Sequence, residues 1–126
     1  SKNFTHLFNQ ASKAERHNLK DICGPGYRKA LEFLIKDYLI QKYSDKKETI
    51  KKATLMQCID NYIERQQIKK IAKRAVWLGN DQTHYYQKWE DKDLNDLKNL
   101  IRLTVNWIED EMISEQYCRD MPDEKK

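Results

Sequence analysis

The spacing of apolar residues along the chain predicts an all-α protein. In five segments the apolar side chains recur every three or four residues, which places them on one face of an α-helix. These segments cover about residues 3–22, 25–43, 54–64, 68–78 and 91–117. Together they predict a four- to five-helix up-down bundle. The central helix should be the second, which has the widest apolar face: Tyr27, Ala30, Leu31, Leu34, Ile35, Tyr38 and Leu39.

Residues that break or cap helices separate these segments. Residues 24–26, Gly-Pro-Gly, are predicted to end the first helix, and Asn3 is predicted to cap its start. Thr54 is a predicted cap of the third helix, after a polar, lysine-rich loop over residues 44–52. Gly79 is predicted to close the fourth helix in the left-handed conformation that glycine adopts easily.

Length and composition indicate one cytoplasmic domain. We expect the 126 residues to form a helical domain over residues 1–121 and a charged, disordered tail over residues 122–126. No apolar stretch approaches the roughly 20 residues that span a bilayer, so we expect no membrane association. The three cysteines form no CxxC pair, so we predict reduced thiols, no metal site and no cofactor. Because the chain begins with Ser1, we expect it to be a module that follows an upstream domain in a longer protein.

Charge is distributed unevenly along the sequence. The net charge of +4 combines −4 over residues 109–126 with +8 over residues 1–108. A basic body can attract phosphates, which favours an RNA or nucleotide partner. A well-solvated helical surface is the simpler explanation of the same charges.

Residues 77–86, Trp-Leu-Gly-Asn-Asp-Gln-Thr-His-Tyr-Tyr, depart from the plain helical pattern. They combine a glycine, aromatic residues and polar side chains that are costly to bury. Local departures of this kind are typical of functional or strained sites.

Two phrases of the sequence resemble a known superfamily. The run Gly79-Asn80-x-x-x-His84-x-Tyr86 is similar to the HEPN motif Arg-Asn-x-x-x-His-x-Tyr. The phrases over residues 26–34, GYRKALEFL, and 77–84, WLGNDQTH, resemble one HEPN-like branch, domain of unknown function family 4145. The similarity extends over residues 4–112.

The resemblance implies a bundle of four or five helices, a homodimer, and a motif that lies near the two-fold interface. Many HEPN domains are metal-independent ribonucleases of prokaryotic defence systems, whereas others bind nucleotides or mediate assembly. The 4145-type branch often accompanies restriction-type proteins or follows a zinc ribbon.

One residue departs from the motif. Catalytic members use the arginine to stabilise charge on the phosphate while the histidine transfers a proton. Here Gly79 replaces that arginine, and a backbone N–H cannot replace a guanidinium. Arg74, five residues earlier on the helix, is poorly placed to substitute for it. We therefore predict that Arg28 or a cation of a partner subunit faces His84.

The candidate site residues come from the motif, from Arg28 on the second segment, and from the basic outer side of the fourth segment, which carries Lys73 and Arg74. The catalytic candidates are His84, Asn80 and Arg28, and the binding candidates are Asp81, Tyr86, Arg28, Lys73 and Arg74. Each has a structural alternative. His84 could cap a helix end, Asn80 and Asp81 could form a turn, and Tyr86 could pack against the last helix.

Three functions remain open at this stage. The first is a non-catalytic module that binds a nucleotide, nucleic acid or protein within a defence- or restriction-associated protein. The second is an endoribonuclease that uses His84 with a displaced arginine, and the third is a domain that only dimerises. Walker-type phosphate loops, GxSxG and HExxH are absent from the sequence, so other common enzyme classes find no support.

Overall fold

The protein is all-α, as the apolar spacing predicts. The computed structural model describes residues 1–84, 86, 88, 89 and 92–124. Within these residues there are six α-helices and no β-strand. The helices are α1 (Lys2–Arg16), α2 (Lys20–Lys42), α3 (Lys47–Lys52), α4 (Leu55–Tyr62), α5 (Gln66–Asp81) and α6 (Leu94–Asp120), with a 3₁₀ turn over Ser44–Lys46 before α3.

Helix α2 lies at the centre of the bundle, in agreement with its wide apolar face. It contacts each of the other five helices. The seven apolar residues that the sequence places on this face are all buried. Burial of a large aliphatic side chain contributes about 1.5–3 kcal/mol, so the leucines and the isoleucine of this face stabilise the bundle substantially.

The predicted boundary between the first two helices is wrong. Helix α1 ends at Arg16, and the chain turns at Asn18, whose φ of 60° is one that asparagine tolerates better than most residues. Residues 24–26 lie inside α2 instead of ending a helix. The reason is packing, because a Cβ added at Gly26 would lie 3.1 Å from the Cβ of Ala11 on α1.

The predicted cap at Asn3 is also wrong, because α1 already begins at Lys2. The Ser1 hydroxyl caps this helix by accepting a hydrogen bond from the Phe4 N–H at 3.1 Å. The predicted cap at Thr54 is confirmed, since its hydroxyl accepts from the Gln57 N–H at 3.1 Å and the Gln57 side chain accepts in return.

The connection over residues 44–52 is not a plain loop. It forms the 3₁₀ turn and α3, and Ile50 is fully buried while the lysines around it remain exposed. Residues 44–52 contain four lysines, two acidic residues and one isoleucine. One apolar residue in such a segment is too weak a periodic signal to predict a helix.

The last two helices also differ from the predicted bounds. Helix α5 continues through Gly79 to Asp81, so Gly79 is not a helix-closing residue. Helix α6 extends to Asp120, three residues beyond the predicted end. Its predicted start at residue 91 lies outside the described residues, and Asp93 caps the helix that the structure begins at Leu94.

The cysteines and the apolar character of the helices can also be described. Cys23 and Cys58 are buried and unpaired, and Cys118 is exposed. Within the described part of the chain, no helix combines the length and the apolar character needed to cross a membrane.

Candidate functional site at the end of helix α5

The last turn of α5 and the segment after it form a compact polar turn. The Thr83 N–H and the His84 N–H donate to the carbonyl oxygens of Asn80 and Asp81, at 3.0 and 3.4 Å. The Asp81 side chain is 8% exposed, and its carboxylate accepts a hydrogen bond from the Trp89 N–H at 2.7 Å. This bond ties the chain at Trp89 to the end of α5.

A surface groove lies beside this turn, and we call it the His84 groove. Its volume is about 560 Å³, and it is open to solvent on one side. The structure brings four of the predicted site residues together here, since the groove is lined by Trp77, Asn80, Asp81, His84, Tyr86, Lys88 and Trp89. His84 and Tyr86 are exposed, so both rings are accessible to a ligand.

Arg28 approaches the motif from α2, where it contacts Asn80; that it faces His84 stays a prediction. Its Nε donates to the Asn80 Oδ1 at 3.2 Å, although 52 residues separate the two in sequence. Its side chain also lies against Gly79, where an added Cβ would be 2.9 Å from the Arg28 Cβ. A larger residue at position 79 would therefore displace Arg28.

The guanidinium of Arg28 also contacts an acidic residue of its own helix. It forms an ion pair with Glu32, and Glu32 also pairs with Lys36 at 3.1 Å. Arg28 is not among the described residues that line the His84 groove. The structure thus places Arg28 next to Asn80, outside the described lining of the groove and ion-paired with Glu32.

The Arg28–Glu32–Lys36 row has a pH-dependent contribution to stability. Burial opposes ionisation of Glu32, but hydrogen bonds from Arg28 and Lys36 outweigh it and hold the pKa of Glu32 below its usual 4.5. The unfolded chain therefore takes up this proton more readily than the folded chain, and the stabilisation is lost as the pH falls below 4.5.

We expect Glu32→Gln to flatten the acid side of the stability profile. The free energy of unfolding from urea titrations should fall less steeply below about pH 4.5 in this variant than in the unmodified protein. Glu48→Gln is a matched control because Glu48 is an exposed α3 carboxylate with a 3.9 Å contact to Lys51. Equal flattening in both variants would contradict the assignment.

The remaining two predicted binding residues do not line the His84 groove. The ammonium of Lys73 pairs with Asp60 of α4 at 2.6 Å. Arg74 lies over the ring of Trp77, with its guanidinium carbon 5.3 Å from the ring centroid. Arg74 is thus near the site, whereas Lys73 holds α4 and α5 together.

The sequence reasoning missed Lys88, Trp77 and Trp89 as site residues. Trp89 stacks on Trp77, with ring centroids 6.1 Å apart and planes at 9°. Lys88 lines the His84 groove and lies 5.7 Å from the Trp89 ring centroid. The adjacency of a lysine and a tryptophan after the motif is the one sequence signal that pointed here.

No protein-family model matches this chain, and neither the curated proteins nor the solved structures contain a match. Among the described residues, no group of three histidine, cysteine or acidic side chains could hold a metal ion. Because none of these comparisons gives a match, the resemblance to HEPN-like domains depends on the motif residues alone.

Proposed function

We propose that this chain is a HEPN-like module that binds RNA without cleaving it, within a prokaryotic protein associated with defence or restriction. The observation that carries the proposal is the His84 groove. It is lined by Asn80, His84 and Lys88, while Arg28, which donates to Asn80, is not among the described lining residues and is ion-paired with Glu32.

Electrostatics supports a phosphate-bearing ligand at this groove. Residues 1–108 carry a net charge of +8, which attracts a polyanion over long range. Lys88 supplies an exposed ammonium in the groove, and Asn80 supplies an amide. Asp81 adds a negative charge there, but the residue is buried and its carboxylate accepts the Trp89 N–H.

The absence of an arginine at position 79 favours binding over catalysis. A guanidinium contributes bidentate, charge-assisted bonds to phosphate that Lys88 cannot supply in the same geometry. Loss of one such donor from a transition state costs about 2.7–4 kcal/mol, a decrease in rate of roughly 10²–10³. A bound strand is therefore expected to remain intact.

RNA binding can be tested by fluorescence anisotropy with a labelled single-stranded oligouridylate. We expect salt-sensitive binding, and we expect Lys88→Ala to weaken it and to reduce the slope of log K against log salt by about 0.7. Lys47→Ala, which removes an exposed charge from α3, is the matched control and should leave the slope unchanged. Equal effects of both variants would mean that the groove is not the site.

An endoribonuclease is the second candidate, and the contact between Arg28 and Asn80 favours it. If a bound phosphate drew the guanidinium away from Glu32, Arg28 could take the role of the motif arginine while His84 transfers the proton. Incubation with structured RNA distinguishes the two. Cleavage that disappears in His84→Ala would replace the binding proposal with this one.

We also propose that the chain forms a homodimer, as the family resemblance implies. Three apolar side chains one turn apart on or just after α6 support this, since Ile113, Tyr117 and Met121 are 56%, 63% and 73% exposed. Light scattering should then give about twice the 15.2 kDa of one chain. A dimer with no salt-sensitive RNA binding would favour a purely structural role.

A further inference from the structure

A second cavity is also lined by the two stacked tryptophans, and we call it the tryptophan cleft. Its volume is about 390 Å³, between the end of α5 and the start of α6. The aliphatic part of its lining is Leu78 and Leu100, the aromatic part is Trp77 and Trp89, and the cationic part is Arg74 and Lys92. Trp77 and Trp89 also line the His84 groove, so the two cavities share a wall.

The cations at this wall lie close to the aromatic rings. The guanidinium carbon of Arg74 is 5.3 Å from the Trp77 ring centroid, and the ammonium of Lys88 is 5.7 Å from that of Trp89. Arginine and aromatic side chains are the groups on which unpaired bases stack in RNA-binding proteins. The wall therefore combines stacking surfaces with charges that attract phosphate.

The one acidic side chain among the described lining residues is already engaged. Asp96 belongs to the cap of α6, where its Oδ2 accepts the Asp93 N–H at 2.9 Å. Its charge is thus directed at the backbone of the helix start. The ligand that fits the remaining surface is flat and aromatic, with negative charge next to the ring.

We propose that the tryptophan cleft binds a base of single-stranded RNA while the adjacent phosphates lie along the His84 groove. This inference rests on the proposed function, and it specifies that the protein contacts a base of the strand as well as its phosphates. The base contacts Trp89 and the apolar surface of Leu78 and Leu100, and Arg74 and Lys92 face the backbone that enters the cleft. Recognition by stacking tolerates different bases, so binding depends on the presence of a base more than on its identity.

The test compares two strands on the unmodified protein. One is an oligouridylate of about ten nucleotides, within the usual site sizes for single strands. The other is an abasic ribose-phosphate strand of the same length and charge. We expect the oligouridylate to bind at least about 5-fold more tightly, since one stacked base contributes about 1–3 kcal/mol.

Variants then locate the effect. Trp89→Leu should remove most of the difference between the strands, and Trp89→Phe should restore most of it because a phenyl ring still stacks. Trp107→Phe is the matched control, since Trp107 is 7% exposed and packs against Tyr38 at 5.7 Å. This variant should keep the full preference for the strand with bases.

The outcomes separate this inference from the proposed function. Equal binding of both strands to the unmodified protein would overturn the base-binding cleft and leave RNA binding through phosphates intact. Binding of neither strand would overturn both. Because the strand comparison needs no mutation, it decides the matter even if Trp89→Leu does not fold.

Discussion

Gly79→Arg, which restores the arginine of the HEPN motif, is expected to destabilise the protein by about 2–3 kcal/mol. The Cβ of any residue at position 79 would lie 2.9 Å from the Arg28 Cβ, which is closer than packed carbon atoms approach. Gly79 is buried within α5, so the new side chain cannot turn freely into solvent. Overpacking of this kind typically costs about 1–3 kcal/mol, and here two cations also meet.

The swap Arg28→Gly with Gly79→Arg should recover part of this loss. Removing the side chain at position 28 clears the space that position 79 needs, so the two changes should be strongly non-additive in a double-mutant cycle. Urea unfolding gives the required free energies. Gly79→Ala with Arg28→Ala is the control, since it removes the Arg28 Cγ but keeps the two Cβ atoms 2.9 Å apart, so a smaller coupling is expected.

Additive free energies in the swap would contradict this account. They would mean that positions 28 and 79 do not share space and that the loss of the motif arginine has no link to Arg28. A strong coupling instead identifies Gly79 and Arg28 as alternative ways to place one arginine beside Asn80. The swapped protein would then be the variant in which to look for RNA cleavage that depends on His84.

The period of apolar residues was sufficient to predict the helical class and the central position of α2. Glycine was the main source of error, because it serves either to free the backbone or to omit a side chain, and both uses look alike in sequence. Gly24, Gly26 and Gly79 all serve the second purpose, at contacts with Gln82, Ala11 and Arg28. Those partners lie far along the chain, so a local pattern cannot reveal them.

In the candidate site, too, contacts between residues close in sequence could be predicted, whereas contacts between distant residues could not. The proximity of Asn80, Asp81 and His84 follows from one helix end and could be predicted from their spacing. The family motif led to the prediction that Arg28 faces His84, whereas its observed contact with Asn80 joins residues 52 positions apart, which no local pattern encodes. The role of Trp89 depends on the return of the chain to Asp81, which no periodic pattern encodes.

Asp81→Ala is expected to release the segment that carries Lys88 and Trp89, and with it most of the binding surface. The Asp81 carboxylate accepts the Trp89 N–H at 2.7 Å, and without this bond the segment is left with the weaker stack of Trp89 on Trp77 of α5. Hydrogen bonds to a charged group contribute about 1.5–3 kcal/mol, so the free energy of unfolding should fall by about that amount. RNA affinity should fall further, because the wall shared by the His84 groove and the tryptophan cleft would lose Trp89.

Asp81→Asn separates the hydrogen bond from the charge. Its amide oxygen can still accept from the Trp89 N–H, so a smaller loss of about 0.5–1.5 kcal/mol is expected. It also removes a negative charge from the His84 groove, so a polyanion should bind as well as before or better. Amide hydrogen exchange at Trp89 reports the bond directly, and it should accelerate strongly in the alanine variant but only slightly in the asparagine variant. Equal acceleration in the two would show that charge, and not the acceptor, holds Trp89 against the end of α5.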